Sequence, residues 1–157
     1  MRNIVFGVED GLVSTVGLLS GIAAAGISKS NILTTGIVLV LVEGFAMAVG
    51  SLLSEHSTEE YEAAGNVPFG HAFAAGLVMF ASYLISGMVP LVPYALFSPA
   101  IALPISISAS LIAILGLGAI SGRLFGVSPV RKAIEMLLLG GLAIGLGLLT
   151  GRLSQSW

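Results

Sequence analysis

The chain contains no cysteine. This excludes disulfides, thiolate metal sites and thiol redox chemistry, and leaves the compartment open. Charge is almost as scarce: 9% of the 157 residues are Asp, Glu, Lys or Arg, with a net charge of −2. A soluble domain is excluded, because 56% of the residues are hydrophobic and the mean hydropathy is +1.06. No nucleophile, base and orienter constellation is present, so neither an enzyme nor a bound cofactor is expected, and no nucleic-acid partner. The apolar stretches are continuous rather than alternating, which argues against a β-barrel. A cleavable signal is not evident either, since the first apolar stretch is long and carries acids that a signal's apolar region avoids.

What remains is an all-α integral membrane protein. A span needs about 20 apolar residues, and five runs meet that length, at residues 4–27, 32–53, 69–89, 100–120 and 133–150. They form one transmembrane domain over residues 1–157. An odd number of spans puts the termini on opposite sides. Arg2, Arg123, Arg131 and Lys132 fall on the side of the N-terminus, and Lys29 and Arg152 on the other. The excess of positive residues on the inner side then places the N-terminus in the cytoplasm.

Asp10 lies within the first run, with Glu9 beside it. A charged carboxylate at the centre of a span costs about 2.5–3.5 kcal/mol on insertion scales, so such a residue marks an ion path by default. Gly7, Gly11, Ser14, Gly17, Gly21 and Ala25 recur around it at helical spacing. Small residues on one face let backbones approach closely, either within one subunit or between two. In the second run Gly36, Glu43, Met47, Gly50 and Ser54 fall near one helical face. Glu43 and Met47 can therefore share a ligand.

The second helix is expected to run on into the cytoplasm through residues 54–62. Glu55, Glu59 and Glu62 share a face there, and His56 pairs with Glu60. Carboxylates suit hard divalent ions and imidazole suits transition metals, so these five residues form a candidate cytoplasmic capture site, against the plainer reading of a solvated helix end. His71 reads as an interfacial residue rather than a ligand. Pro90 and Pro93 are expected to end the third helix in a turn, and Pro104 to start or kink the fourth. Ser128 reads as the cap of the fifth helix, with Pro129 at its first position and Arg131 paired to Glu135.

Carboxylates bind hard divalent ions, and a thioether adds a softness that Mg²⁺ and Ca²⁺ do not reward. Asp10, Glu43 and Met47 together point to Fe²⁺ or Mn²⁺. One subunit supplies too few such ligands for six-fold coordination, whereas a two-fold axis beside the first two helices doubles them, so a homodimer with its ion path at the subunit interface is expected. Desolvation favours a carboxyl's proton and a bound cation favours its charge, which makes metal/proton exchange the leading mechanism. A passive divalent channel and a non-transporting membrane scaffold are the alternatives.

The ordered set Gly7-Val8-Glu9-Asp10-Gly11-Leu12-Val13-Ser14-Thr15, Ala46-Met47-Ala48-Val49-Gly50, Gly87-Met88-Val89-Pro90-Leu91-Val92-Pro93-Tyr94, residues 118–123 and residues 131–136 resembles the vacuolar iron transporter family. The resemblance implies a five-helix subunit, a homodimer, and export of Fe²⁺ or Mn²⁺ from the cytosol in exchange for protons. Asp10 and Met47 match the family's path residues. The acid that eukaryotic members carry in the second helix falls near Leu39, one turn from Glu43. Those members also carry a cytoplasmic helical metal-binding domain between the second and third spans, where only residues 55–62 stand here. With that domain missing, a prokaryotic cell membrane is the expected location.

Overall fold

The computed structural model describes residues 1–156, and among these it is built of five helices: α1 (Arg2–Ala24), α2 (Lys29–Ala63), α3 (Gly70–Leu96), α4 (Pro99–Leu124) and α5 (Pro129–Ser154). All five are long and apolar enough to cross a membrane, the all-α architecture expected from the apolar runs. Their order in space follows from who meets whom. Gly7 lies against Met79 and Ser82, and Gly11 against Tyr83 and Ser86, so α1 and α3 run parallel. Gly44 meets Tyr83 while Gly76 meets Ala48, so α2 runs antiparallel to α3. Gly118 meets Ala133 and Gly122 meets Pro129, so α4 and α5 form an antiparallel pair. Successive helices alternate in direction, and the two ends of the chain fall at opposite ends of the bundle.

α1 is the central element. In its most apolar window 50% of residues are buried, against 22–33% in the other four helices, because α3, α4 and α5 all pack on it. Glycines of the small-residue stripe serve that packing. A Cβ at Gly11 would strike the Ser86 side chain and come 2.7 Å from the Tyr83 carbonyl, and one at Gly147 would strike the Gly17 carbonyl. The stripe therefore serves contacts within the subunit, first with α3 and then, higher up, with α5. Leu12, Ile114 and Met136 fill one part of the core and Leu19, Ile32, Leu91, Tyr94 and Ala102 the other.

Helix ends follow local chemistry. α1 stops at Ala24 rather than at residue 27, because Gly26 takes a left-handed conformation (φ 77°) and the Ile27 N–H reaches back to the Ile22 carbonyl. The same motif at Gly126 (φ 69°) ends α4. The Ser28 and Ser128 hydroxyls accept from the Asn31 and Arg131 amides and cap α2 and α5, with Pro129 in the first turn of α5 as its spacing requires. Lys132, not Arg131, pairs with Glu135 (3.2 Å). The i,i+3 and i,i+4 pairings are worth similar tenths of a kcal/mol, and the more sheltered lysine is already held beside the acid.

The prolines depart from expectation. α3 does not break at Pro90 and Pro93 but continues to Leu96. Both rings sit on the buried side of the helix, and the Ser106 hydroxyl donates to the Pro90 carbonyl at 2.7 Å. Each proline removes a single backbone bond, and neighbouring helices and hydroxyls hold the rest. Nor does Pro104 start α4. Pro99 does, since its fixed φ already suits the first turn, and Pro104 lies inside the helix.

Candidate metal path

α2 spans 35 residues, about 52 Å at 1.5 Å per residue, against about 30 Å of hydrocarbon. Its first part carries Glu43 and Met47 across the bundle, and its last turns project beyond the apolar layer. Two groups of side chains result, one at membrane depth and one at the mouth.

At membrane depth the half-buried Asp10 comes from α1 and the half-buried Glu43 from α2, and each lies within electrostatic reach of the other. Between these helices stands Tyr83 of α3, fully buried and within reach of both charges. The Ser14 hydroxyl lies 2.7 Å from the Asp10 carbonyl. The Tyr83 hydroxyl lies 2.6 Å from Ser14, a contact in which either oxygen can donate. Glu9, although adjacent to Asp10, lies within reach of Lys132 and Glu135 near the start of α5. The two neighbouring acids thus serve opposite sides of α1.

Met47 lines a groove of about 270 Å³ between α1 and α2, together with Asn3, Phe6, Ser51, Ser54 and Met79. Met79, from α3 and 3% exposed, was not singled out from the sequence. No spacing relates it to Met47, because the two residues come to line one groove only through the packing of α2 and α3.

At the mouth the expected run of α2 past residue 53 is present. Glu55 and Glu59 lie with His71 of α3, their three ligand atoms all within 4.8 Å of one another. His71 Nδ1 contacts Glu59 Oε1, and Arg2 Nη2 bonds Glu55 Oε2 at 3.0 Å. His71 is therefore placed as a ligand would be, contrary to its reading as merely interfacial. Residue spacing within one helix could not show this, because the contact crosses the turn between α2 and α3. His56 is turned elsewhere, pairing with Glu60 at 3.4 Å and meeting the Phe69 ring edge-on at 4.8 Å. Glu62 is exposed and stands apart from the triad.

Five helices long and apolar enough to cross a membrane, with two acids and a thioether carried within them, define a helical membrane protein. The VIT family model matches residues 1–67 and 65–152, and the chain belongs to that family. Vacuolar iron transporter 1 of Tulipa gesneriana is 26% identical over 204 residues, covering 91% of this chain and 82% of that protein. Vacuolar iron transporter homolog 2 of Oryza sativa subsp. japonica is 29% identical over 160 residues, covering 92% and 85%. Vacuolar iron transporter 1 of Arabidopsis thaliana is 25% identical over 203 residues, covering 91% and 81%. The 204-residue alignment is longer than this 157-residue chain, so the tulip protein holds an inserted stretch absent here. The two matched segments of the family model meet at the α2–α3 connection. This chain is a short form of the family. The relatives' names place them at a plant vacuole, which gives the expected prokaryotic membrane no support.

Proposed function

We propose that the protein carries Fe²⁺ or Mn²⁺ across its membrane, out of the cytosol, in exchange for protons. The reading rests on one observation above all: Asp10 and Glu43, from different helices, come within electrostatic reach of one another and of Tyr83, and among the described residues neither forms a salt bridge. A pair of acids without a compensating cation either shares protons or binds a metal, and the two states exclude each other. Met47, a short distance toward the mouth, adds the soft donor that favours transition metals over Mg²⁺ and Ca²⁺. The names of the relatives, transporters of iron, support the same substrate class.

Asp10, Glu43 and Met47 are the proposed path residues, and Glu55, His56, Glu59, Glu60 and Glu62 the proposed cytoplasmic approach. The N-terminus and the mouth face the cytoplasm in this reading, following the positive residues at that end. The path is completed by a second copy of the chain. α2 leaves Leu41, Val42 and Phe45 exposed next to Glu43, and two copies meeting beside α1 and α2 supply the six ligands that one cannot.

The test is metal flux in proteoliposomes with and without an imposed pH gradient, for the wild type, Asp10→Asn and Met47→Ala. Gradient-stimulated Fe²⁺ or Mn²⁺ flux that Asp10→Asn removes supports exchange. Flux indifferent to the gradient replaces exchange by a channel, and absence of flux in the wild type removes transport altogether.

A further inference from the structure

Arg123, Arg131 and Lys132 are three of the chain's six basic residues, and no acid stands among residues 123–132. They flank the α4–α5 connection, which lies at the end of the bundle where the chain begins. The connection is tight. Gly126 is left-handed (φ 69°), the Val127 N–H bonds back to the Gly122 carbonyl at 2.9 Å, and a Cβ at Gly122 would strike Pro129. Arg123 in the last turn of α4 is thereby held near Arg131 and Lys132 in the first turn of α5. A cavity of about 580 Å³ opens at this turn, lined by Phe125, Val127, Ser128, Arg131, Lys132 and Glu135. Lys132 is engaged by Glu135 at 3.2 Å, whereas Arg123 and Arg131 are exposed and form no salt bridge among the described residues. Below the cations, Val130, Ile134 and Leu138 continue as an exposed apolar face along α5 at steps of four.

We propose that the α4–α5 connection binds the headgroup of an anionic phospholipid, with its phosphate on Arg131 and Lys132 and its chains along Val130, Ile134 and Leu138. A guanidinium takes two phosphate oxygens at once and an ammonium adds a point charge. Basic pockets between spanning helices at the membrane surface suit such headgroups, each cation contributing about fivefold in affinity. A soluble anion could use the cations but would leave the apolar face without a partner. A zwitterionic lipid brings a cation of its own, which gains nothing here. The nearest acids, Glu135 and Glu9, both lie within reach of Lys132, which leaves the two arginines to the headgroup. The acids of the mouth belong to α2, which packs on α1 and α3 rather than on the α4–α5 pair. Nor are α4 and α5 the helices proposed to meet a second copy, so the surface stays open to lipid in a dimer. The proposal rests on the helices spanning a membrane and not on the transport reading.

The experiment titrates the full chain in detergent with phosphatidylglycerol, phosphatidylcholine or inorganic phosphate, and reads bound lipid by native mass spectrometry and stabilisation by thermal melting. Phosphatidylglycerol should bind and raise the melting temperature, and the other two should do neither. Arg131→Gln and Arg123→Gln should each weaken phosphatidylglycerol binding about fivefold, and the double variant about thirtyfold. Arg152→Gln, which removes an exposed cation at the opposite end of α5, should leave binding unchanged. Lipid-free melting, expected to be the same in all variants because the three arginines are exposed, separates loss of the site from misfolding. Phosphatidylcholine bound as tightly, or Arg152→Gln as damaging as Arg131→Gln, overturns the site. Stabilisation by inorganic phosphate equal to that by the lipid replaces a lipid site by one for a free anion and overturns the proposal. Absence of metal flux in the wild type would remove the transport reading and leave this site standing.

Discussion

The two acidic groups of this protein are built on opposite principles. At the mouth three of the four glutamates have basic partners: Arg2 for Glu55, His71 for Glu59 and His56 for Glu60. Asp10 and Glu43, within reach of Tyr83, form no salt bridge among the described residues. Charges in water are cheap to pair and cheap to separate, whereas a charge in hydrocarbon is costly until something neutralises it. The mouth can exchange one cation for another at little cost. The interior acids have no such partner, and on the proposed function a proton and a metal compete for their oxygens.

The largest effect should fall on the interior group. Asp10→Asn is expected to lower gradient-driven Mn²⁺ flux in proteoliposomes by about tenfold or more, with metal-free melting unchanged, since the amide keeps the size and loses the charge. A melting temperature that fell together with flux would make Asp10 a structural residue and erase the contrast. Next comes the packing that sets the interior group in place. Gly11→Val drives a branched side chain into Ser86 and the Tyr83 backbone, and should cost about 1–3 kcal/mol in thermal or denaturant unfolding. Tyr83→Phe removes the half-buried bond to Ser14 and should cost about 1 kcal/mol, read in the same unfolding experiment.

The smallest effect belongs to the mouth. Arg2→Ala breaks a pair in which Arg2 is 79% exposed, so it should cost under about 1 kcal/mol, and less still in high salt. A cost of several kcal/mol, insensitive to salt, would show that the mouth is as rigid as the interior.

Several parts of this account are legible in the residues themselves. The apolar runs, the acids inside them, the Ser128-Pro129 start of α5 and the extension of α2 past residue 53 are local properties, and each stands in the structure. The prolines mislead because their effect is not local. Pro90 and Pro93 end a helix in water, but in α3 their rings are buried and Ser106 holds the adjoining carbonyl. The small-residue stripe fits an interface within or between subunits equally well by pattern, and the structure shows its glycines against α3 and α5. Tyr83 and Met79 escape a reading by pattern, since an aromatic and a thioether in an apolar run look like ordinary core.

By itself the sequence determined that this chain crosses a membrane in five helices and that Asp10 and Glu43 lie where charge is costly. Length, hydropathy and turn chemistry act between near neighbours and need no knowledge of the rest of the chain. Only the tertiary structure decided that the two acids come within reach of Tyr83, that Met79 and Met47 line one groove, and that His71 closes on Glu55 and Glu59. Those meetings depend on the register in which separate helices pack. That register is set by contacts such as Gly11 on Tyr83 and Gly147 on Gly17, between residues far apart in the chain that no periodicity links.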